Sequence, residues 1–258
     1  MEKVTAGQAR QYVKKLALPS LPKGGHKEIE AAKFDYNAVK NQAMVVGSDI
    51  VSFVKGVTPE WREDIANSAL LAQLAAKKAV SSASNIEDWY NAYFDVLVNI
   101  GWVLQDRGFT KYSENSQNFQ AHEAILQVAA SLLAPNPAAL AVVKATLDAL
   151  KSMSANSPWM TIFNRESQSA KTARFQVTLV EQGTADQLLV SLMAFGLEAT
   201  DNLTQVLFFK FQTSEVTLKH YSGNVTINPA VLSSVRDQIK DRIVKYAEGY
   251  VRGLPDLG

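Results

Sequence analysis

The chain changes its hydrophobic period near Ser154. Ahead of that point, apolar residues recur at three- and four-residue spacing, as on helices with one buried face. Beyond Lys171 they recur at two, in four short segments, and a helical pattern closes the sequence. This predicts an α+β fold. An N-terminal helical bundle over 37–153 packs with a four-stranded antiparallel sheet over 173–227 and a C-terminal amphipathic helix over 229–250. Residues 37–258 read as a single α+β domain, and 1–36 as a weakly ordered arm. In the arm, a short helix from Gln8 to Leu18 meets Pro19, Pro22, Gly24 and Gly25, which break it.

Local signals refine the elements. Tyr36–Val54 puts Val39, Ala43, Val46 and Ile50 on one helical face, with Gly56 as its stop. Thr58-Pro59 supplies a cap and a first-turn proline, and Glu60, Glu63 and Asp64 suit the positive end of the helix dipole. Ser84-Asn85-Ile86-Glu87 reads as a capping box for a helix from Glu87 to Gln105. That helix carries a stripe of Trp89, Tyr93, Val96, Ile100 and Val103, and Gly108 ends it.

The predicted strands are Arg174–Leu179, Leu188–Leu197, Gln205–Gln212 and Glu215–Tyr221, with Ser222-Gly223-Asn224 as a turn. Leu188–Leu197 is apolar on both faces and is expected to be interior. Asn228-Pro229 opens the last helix, where Val231, Val235, Ile239 and Ile243 form a stripe suited to lie on the sheet.

One stretch stands apart. Ala124 to Val143 contains no charged residue, and Pro135-Asn136-Pro137 divides it. Proline removes a donor and clashes with the preceding turn, so two short helices are expected. Each is too short to cross a bilayer core of ~30 Å. A buried hairpin is the plain reading. A hairpin that enters a membrane interface is the functional one, with Leu126, Leu132, Leu133, Leu140, Val142 and Val143 as candidate lipid-binding residues.

Composition narrows the rest. The chain has 258 residues, 47% apolar and 20% charged, which fits an ordinary globular protein. A formal net charge of +1 argues against a nucleic-acid partner. The sequence has no cysteine, so disulfides, thiolate nucleophiles and zinc–thiolate sites are absent. Met1-Glu2-Lys3-Val4-Thr5 lacks a signal-peptide core, so the expected location is cytoplasmic, or outside the cell by export without a cleaved signal peptide.

Motifs for chemistry are lacking. Lys23–Lys27 misses the outer glycine and the Ser/Thr of a phosphate loop. His122-Glu123 starts like a zinc-protease helix, but Leu126 stands where the second histidine is required. His26 sits in the arm, and His220 is expected as an exposed strand residue. No nucleophile elbow or dinucleotide loop occurs, so no cofactor, metal or catalytic residue is expected.

Asp88-Trp89-Tyr90-Asn91-Ala92-Tyr93-Phe94, together with the strand pair around Ala194–Phe211, resembles in layout the Erwinia virulence factor (Evf) family. The resemblance implies a soluble bacterial protein of mixed helix-and-sheet fold, linked to persistence in the insect gut and to membrane association. That family carries a fatty-acylated cysteine, which this sequence lacks, so no site residue carries over. Any membrane contact here needs a different anchor.

The leading expectation is a non-catalytic bacterial effector or virulence factor that engages membrane or lipid. The alternative is an enzyme or small-molecule carrier with an apolar pocket between sheet and helices. The third is a structural or protein-interaction module. The oligomeric state stays open.

Overall fold

The computed structural model describes residues 4–21, 34–81, 85–104, 110–112, 119–183, 187–203, 206–208, 210–211, 216–254 and 257. The basic turn at 23–27 with His26, and Ser84, Gln105 and Gly108, lie outside these residues. The helices are α1 (Ala6–Lys15), α2 (Pro59–Ala79), α3 (Ile86–Asn99), α4 (Ala121–Leu132), α5 (Pro137–Ser152), α6 (Pro158–Ser167) and α7 (Pro229–Tyr250). The strands are β1 (Gln42–Val46), β2 (Asp49–Phe53), β3 (Trp102–Val103), β4 (Thr110–Tyr112), β5 (Phe119–Gln120), β6 (Thr172–Gln182), β7 (Leu188–Ala199), β8 (Lys210–Phe211), β9 (Val216–Ile227) and β10 (Val251–Gly253).

The main sheet runs β10-β1-β2-β6-β7-β9-β3, with β4 also on β9. β2 and β6 pair in parallel, and the other pairs are antiparallel. It is therefore a mixed eight-stranded sheet among the described residues, not a four-stranded antiparallel one. The long central antiparallel trio β6-β7-β9 is the part that the alternating pattern predicted.

Helices cover both faces. Met44, Val46, Val51, Phe53, Leu192 and Ala194 share one core with α1, α2, α3 and α7. Ala43, Val45, Ile50, Phe175, Val177 and Phe195 share the other with α4, α5 and α6. Successive side chains of a strand point to opposite faces, which is why neighbours in sequence fall in different cores.

The caps read at Thr58 and Asn228 hold, and Asn136 and Asn85 act as caps in addition. Thr58, Asn136 and Asn228 accept hydrogen bonds from the first turns of α2, α5 and α7, each followed by proline. Asn85 caps α3 by accepting from the Asp88 N–H. The same signal opens α6, where Ser157 precedes Pro158, in a stretch not expected to be helical.

Several expectations are corrected. The helix expected over Tyr36–Val54 is the β1–β2 hairpin. Both strands are buried on both faces, so their apolar run has no period of two. Gly47 turns the hairpin at a φ of 58°, and a Cβ there would meet Gln73 Oε1 at 2.3 Å. α3 ends at Asn99, because Gly101 takes a φ of 106° and redirects the chain into β3. Val206–Phe208 forms bends instead of a strand, and β8 pairs with β5 away from the main sheet. Ser222-Gly223-Asn224 stays extended inside β9, held by pairing with Met193, Leu192 and Ser191. Within the expected arm, α1 is a docked helix, with Ala9 and Val13 fully buried.

β7 is interior, paired with β6 on one side and β9 on the other. The apolar stripe of α7 is buried as expected, but its main neighbours are α1 and α2, not the sheet.

Val235 and Ile239 are buried on α7, whereas Lys240 is half-exposed and pairs with Glu63 at 2.8 Å. Val235→Asp or Ile239→Asp is expected to cost several kcal/mol by burying an unpaired carboxylate. Lys240→Asp is expected to cost about 1 kcal/mol. Melting temperatures of the three variants check this, and equal values would mean that α7 does not dock through this stripe.

Candidate functional site

The charge-free stretch is a helical hairpin, as its prolines predicted. α4 ends at Leu132, and Asn136 Oδ1 accepts from the Ala139 N–H at 3.2 Å to start α5. Leu133, Val142 and Val143 are buried in the core beneath the hairpin. Leu126, Leu132 and Leu140 are half-buried and pack against the same core. All six candidate residues thus belong to one apolar layer. The outer surface of the hairpin carries Ala130, Ala134, Pro135, Pro137, Ala138 and Ala141, all exposed.

The hairpin meets the sheet mainly through apolar side chains. Polar ties include Ser52 Oγ and Thr146 Oγ1 at 3.0 Å, the His122 N–H donating to the Leu207 carbonyl at 3.0 Å, and Asn136 Nδ2 donating to Glu181. Burial raises the pKa of Glu181, and the Asn136 hydrogen bond opposes that rise. A cavity of about 410 Å³ lies beside α5, lined by Val54, Lys55, Ala138, Ala141, Val142 and Leu257 among others. The seal of α5 on the sheet is incomplete there.

The opposite layer is cross-tied differently. Arg236 of α7 binds Asp64 of α2 at 2.6 Å and also reaches Glu60. Arg242 donates to the carbonyls of Lys14 and Leu16, and Tyr246 to that of Pro19 at 2.6 Å. The guanidinium of Arg62 is buried against the carbonyls of Val57, Lys40 and Val54 and the amide of Gln42. The carboxylates read as helix-dipole partners, Glu60, Glu63 and Asp64, are therefore also the docking partners of α7. Nothing in sequence spacing joins them to residues more than 170 positions away.

A row of buried polar groups runs under α2 and α3. Ser48 Oγ lies 3.1 Å from the side-chain oxygens of Gln73 and Gln176. Gln176 Nε2 donates to the Tyr90 hydroxyl at 2.9 Å, and that hydroxyl lies 2.8 Å from the carbonyls of Phe175 and Phe195. Asp49 is fully buried nearby, accepting from Thr178 Oγ1 at 2.9 Å. Burial pushes its carboxyl up to about 7, against the lowering effect of the Thr178 hydrogen bond. A pKa in that range suits proton transfer. However, Asp49 is enclosed by protein and lines none of the described cavities. Its burial bears on stability.

Two of the three histidines, His122 and His220, are among the described residues. His122 is buried, its ring packed on Phe208 at 5.4 Å, and burial lowers its pKa. His220 is half-buried on β9, not exposed. Among the described residues, no three His, Asp or Glu side chains cluster as metal ligands. No helix among them is long and apolar enough to cross a membrane.

A second apolar cavity, about 450 Å³, opens where β3 and the end of β9 meet α3 and α7. Val98, Trp102, Val103, Leu104, Ile227 and Val231 line most of it. Asn228 at its edge is committed to capping α7.

No protein-family model and no curated protein matches the chain. A solved structure described as a delta-endotoxin is 13% identical, covering 82% of this chain and 90% of that one, with a TM-score of 0.35. The structure of the Evf virulence factor is 10% identical, covering 94% of this chain and 89% of that one, with a TM-score of 0.32. The second belongs to the family that the layout of the sequence resembles. The likeness is faint, and no residue role is transferred from either.

The position of Asp49 generates a pH dependence. A carboxyl whose folded pKa stands above its unfolded value, ordinarily near 4, stabilises the fold at low pH. That contribution fades as pH rises towards and through about 7. The wild-type melting temperature is expected to fall between pH 5 and pH 8 through this group. Asp49→Asn keeps an acceptor for Thr178 and carries no charge, so its melting temperature should vary less over the same window. Parallel profiles would assign the pH dependence elsewhere.

Proposed function

We propose that the protein is a non-catalytic effector that engages lipid bilayers by releasing the α4–α5 hairpin from the sheet. The observation that carries this reading is the asymmetry of the two layers. One helical layer is held by buried Arg62 and by ion pairs between α2 and α7. The hairpin layer is held mainly by apolar contact, beside a cavity of about 410 Å³.

Energetics make the bilayer both trigger and receptor. Lifting the hairpin in water exposes its own apolar residues and also Ile50, Phe175, Val177, Leu179 and Phe195 of the sheet. Each such side chain costs ~1.5–3 kcal/mol in water, so the closed form dominates there. At a membrane interface both surfaces are buried again, with acyl chains packed where hairpin and sheet had packed on each other. A net charge of +1 adds little attraction to anionic lipid, since each basic residue near the surface contributes about 1 kcal/mol.

The cysteine-free sequence permits a clean test. The hydroxyls of Ser52 and Thr146 are 3.0 Å apart, on β2 and α5. Cysteines at both positions would bring their sulfurs to the same place as these hydroxyls, as a disulfide requires. No other thiol competes. In flotation with neutral and anionic vesicles, wild type and the reduced Ser52→Cys/Thr146→Cys variant should rise with the lipid. The oxidised variant should remain below. Leu132→Asp, confirmed folded, should bind more weakly than wild type. Flotation of the oxidised variant, or none by wild type, would overturn the reading. A carrier function for the cavity of about 450 Å³ would then take its place.

A further inference from the structure

Both described histidines lie on the hairpin side of the sheet. His122 stands in the first turn of α4, and its backbone N–H donates to the Leu207 carbonyl at 3.0 Å. His220 of β9 pairs in register with Phe195, and the two rings are 6.3 Å apart. Phe195 belongs to the core that α4, α5 and α6 cover. Among the described residues the opposite layer carries no histidine.

An imidazolium is poorly accommodated at His122. The residue is 7% exposed, and its ring lies 5.4 Å from that of Phe208. Nδ1 is buried with no hydrogen-bond partner among the described residues. Neutral imidazole has one bare nitrogen, whereas the cation carries a proton on both and has a second donor to satisfy. The first turn of a helix also opposes a cation, because the positive end of the dipole is there.

The charged groups near the ring are Lys151 and Asp148 of α5 and Glu123 of α4, all at exposed positions. Burial lowers the pKa of His122, and Lys151 adds to that. Glu123, the Leu207 carbonyl and Asp148 oppose it. From the sheet, β7 presents Met193, Phe195 and Leu197 to this core, and β9 presents His220, whose pKa burial also lowers.

We propose that the α4–α5 hairpin is an acid-released latch, in which protonation of His122, with His220 behind it, frees the hairpin from the sheet at mildly acidic pH. This rests on the proposed release of the hairpin and names what governs it. A histidine whose pKa is lower in the closed form stabilises that form above its ordinary value near 6.5. The contribution is lost as pH falls through that value, because the open form gives the ring to water and takes the proton. Two carboxyls act in the other sense. Asp49, in the opposite layer, and Glu181, which accepts from Asn136 at the hairpin tip, have raised pKa values, so acid favours their folded setting. A melting temperature sums all of these groups, so release has to be read layer by layer.

Hydrogen exchange, corrected for the intrinsic effect of pH on amides, does so at about pH 7.5 and about pH 5.5. Wild-type protection in α4 and α5 is expected to fall about tenfold at the lower pH relative to α2 and α7, as one pKa unit implies. His122→Phe keeps a ring on Phe208 and takes no proton, so it should retain most of the protection. His122→Gln serves if that variant fails to fold, and adding His220→Gln should flatten the response. In vesicle flotation, wild type should bind several-fold more lipid at the lower pH, and His122→Phe should bind equally at both. Acid loss of protection without flotation would keep the latch and remove the membrane role. Equal protection at both pH values, equal loss in both layers, or a double variant that responds as wild type does would overturn the latch. Flotation unchanged by pH would then leave the membrane role standing.

Discussion

β7 sends Leu192 and Ala194 to one side and Met193 and Phe195 to the other, and all four are shielded from solvent. Burial on both faces of a central strand requires two covering layers. The rest of the architecture answers that requirement. α1, α2, α3 and α7 close one face, and α4, α5 and α6 close the other. The register is fixed along with it, because a slip of one residue would exchange the side chains of the two cores.

The layers differ in how they hold. On the α2–α7 side, charged groups bridge elements that are far apart in sequence, and Arg236 fits between Glu60 and Asp64. Such contacts are directional, so that layer has one arrangement. On the α4–α5 side the joining surface is leucine, valine, alanine and phenylalanine. Apolar contact is non-directional and is satisfied equally by a sheet or by acyl chains. This difference underlies the proposed membrane role of the hairpin.

Polar groups inside the first layer add constraint. Ser48, Gln73, Gln176 and Tyr90 bond in succession and tie the β1–β2 turn to α2, β6 and α3. Groups buried in a medium of low polarity are costly unless paired, so each fixes its neighbours. Asp49 is the exception in kind, a buried carboxyl with the Thr178 hydroxyl as donor and a raised pKa. The fold accommodates it by favouring the neutral form.

Much of the helical framework was legible in the sequence. Thr58-Pro59, Asn136-Pro137 and Asn228-Pro229 act within a single turn, so local chemistry alone starts α2, α5 and α7. Ser157-Pro158 carried the same information about α6. The alternation Phe175-Val177-Leu179 located β6, and the apolar run Leu188–Leu197 located an interior β7. The six hairpin residues were also legible as one apolar set. Their common core under the sheet was not, since those contacts join distant positions. β1 and β2 were read as a helix because strands buried on both faces lose the two-residue period that marks a strand. β3 and β10 are too short to signal themselves and exist by pairing with β9 and β1. Ser222–Asn224 has the composition of a turn, yet eleven paired residues of β7 hold β9 extended through it. The sequence determines what is decided within a turn of chain, by caps, prolines and periods. Tertiary structure decides what depends on a partner strand or a buried counter-charge, because those energies arise only when distant segments meet.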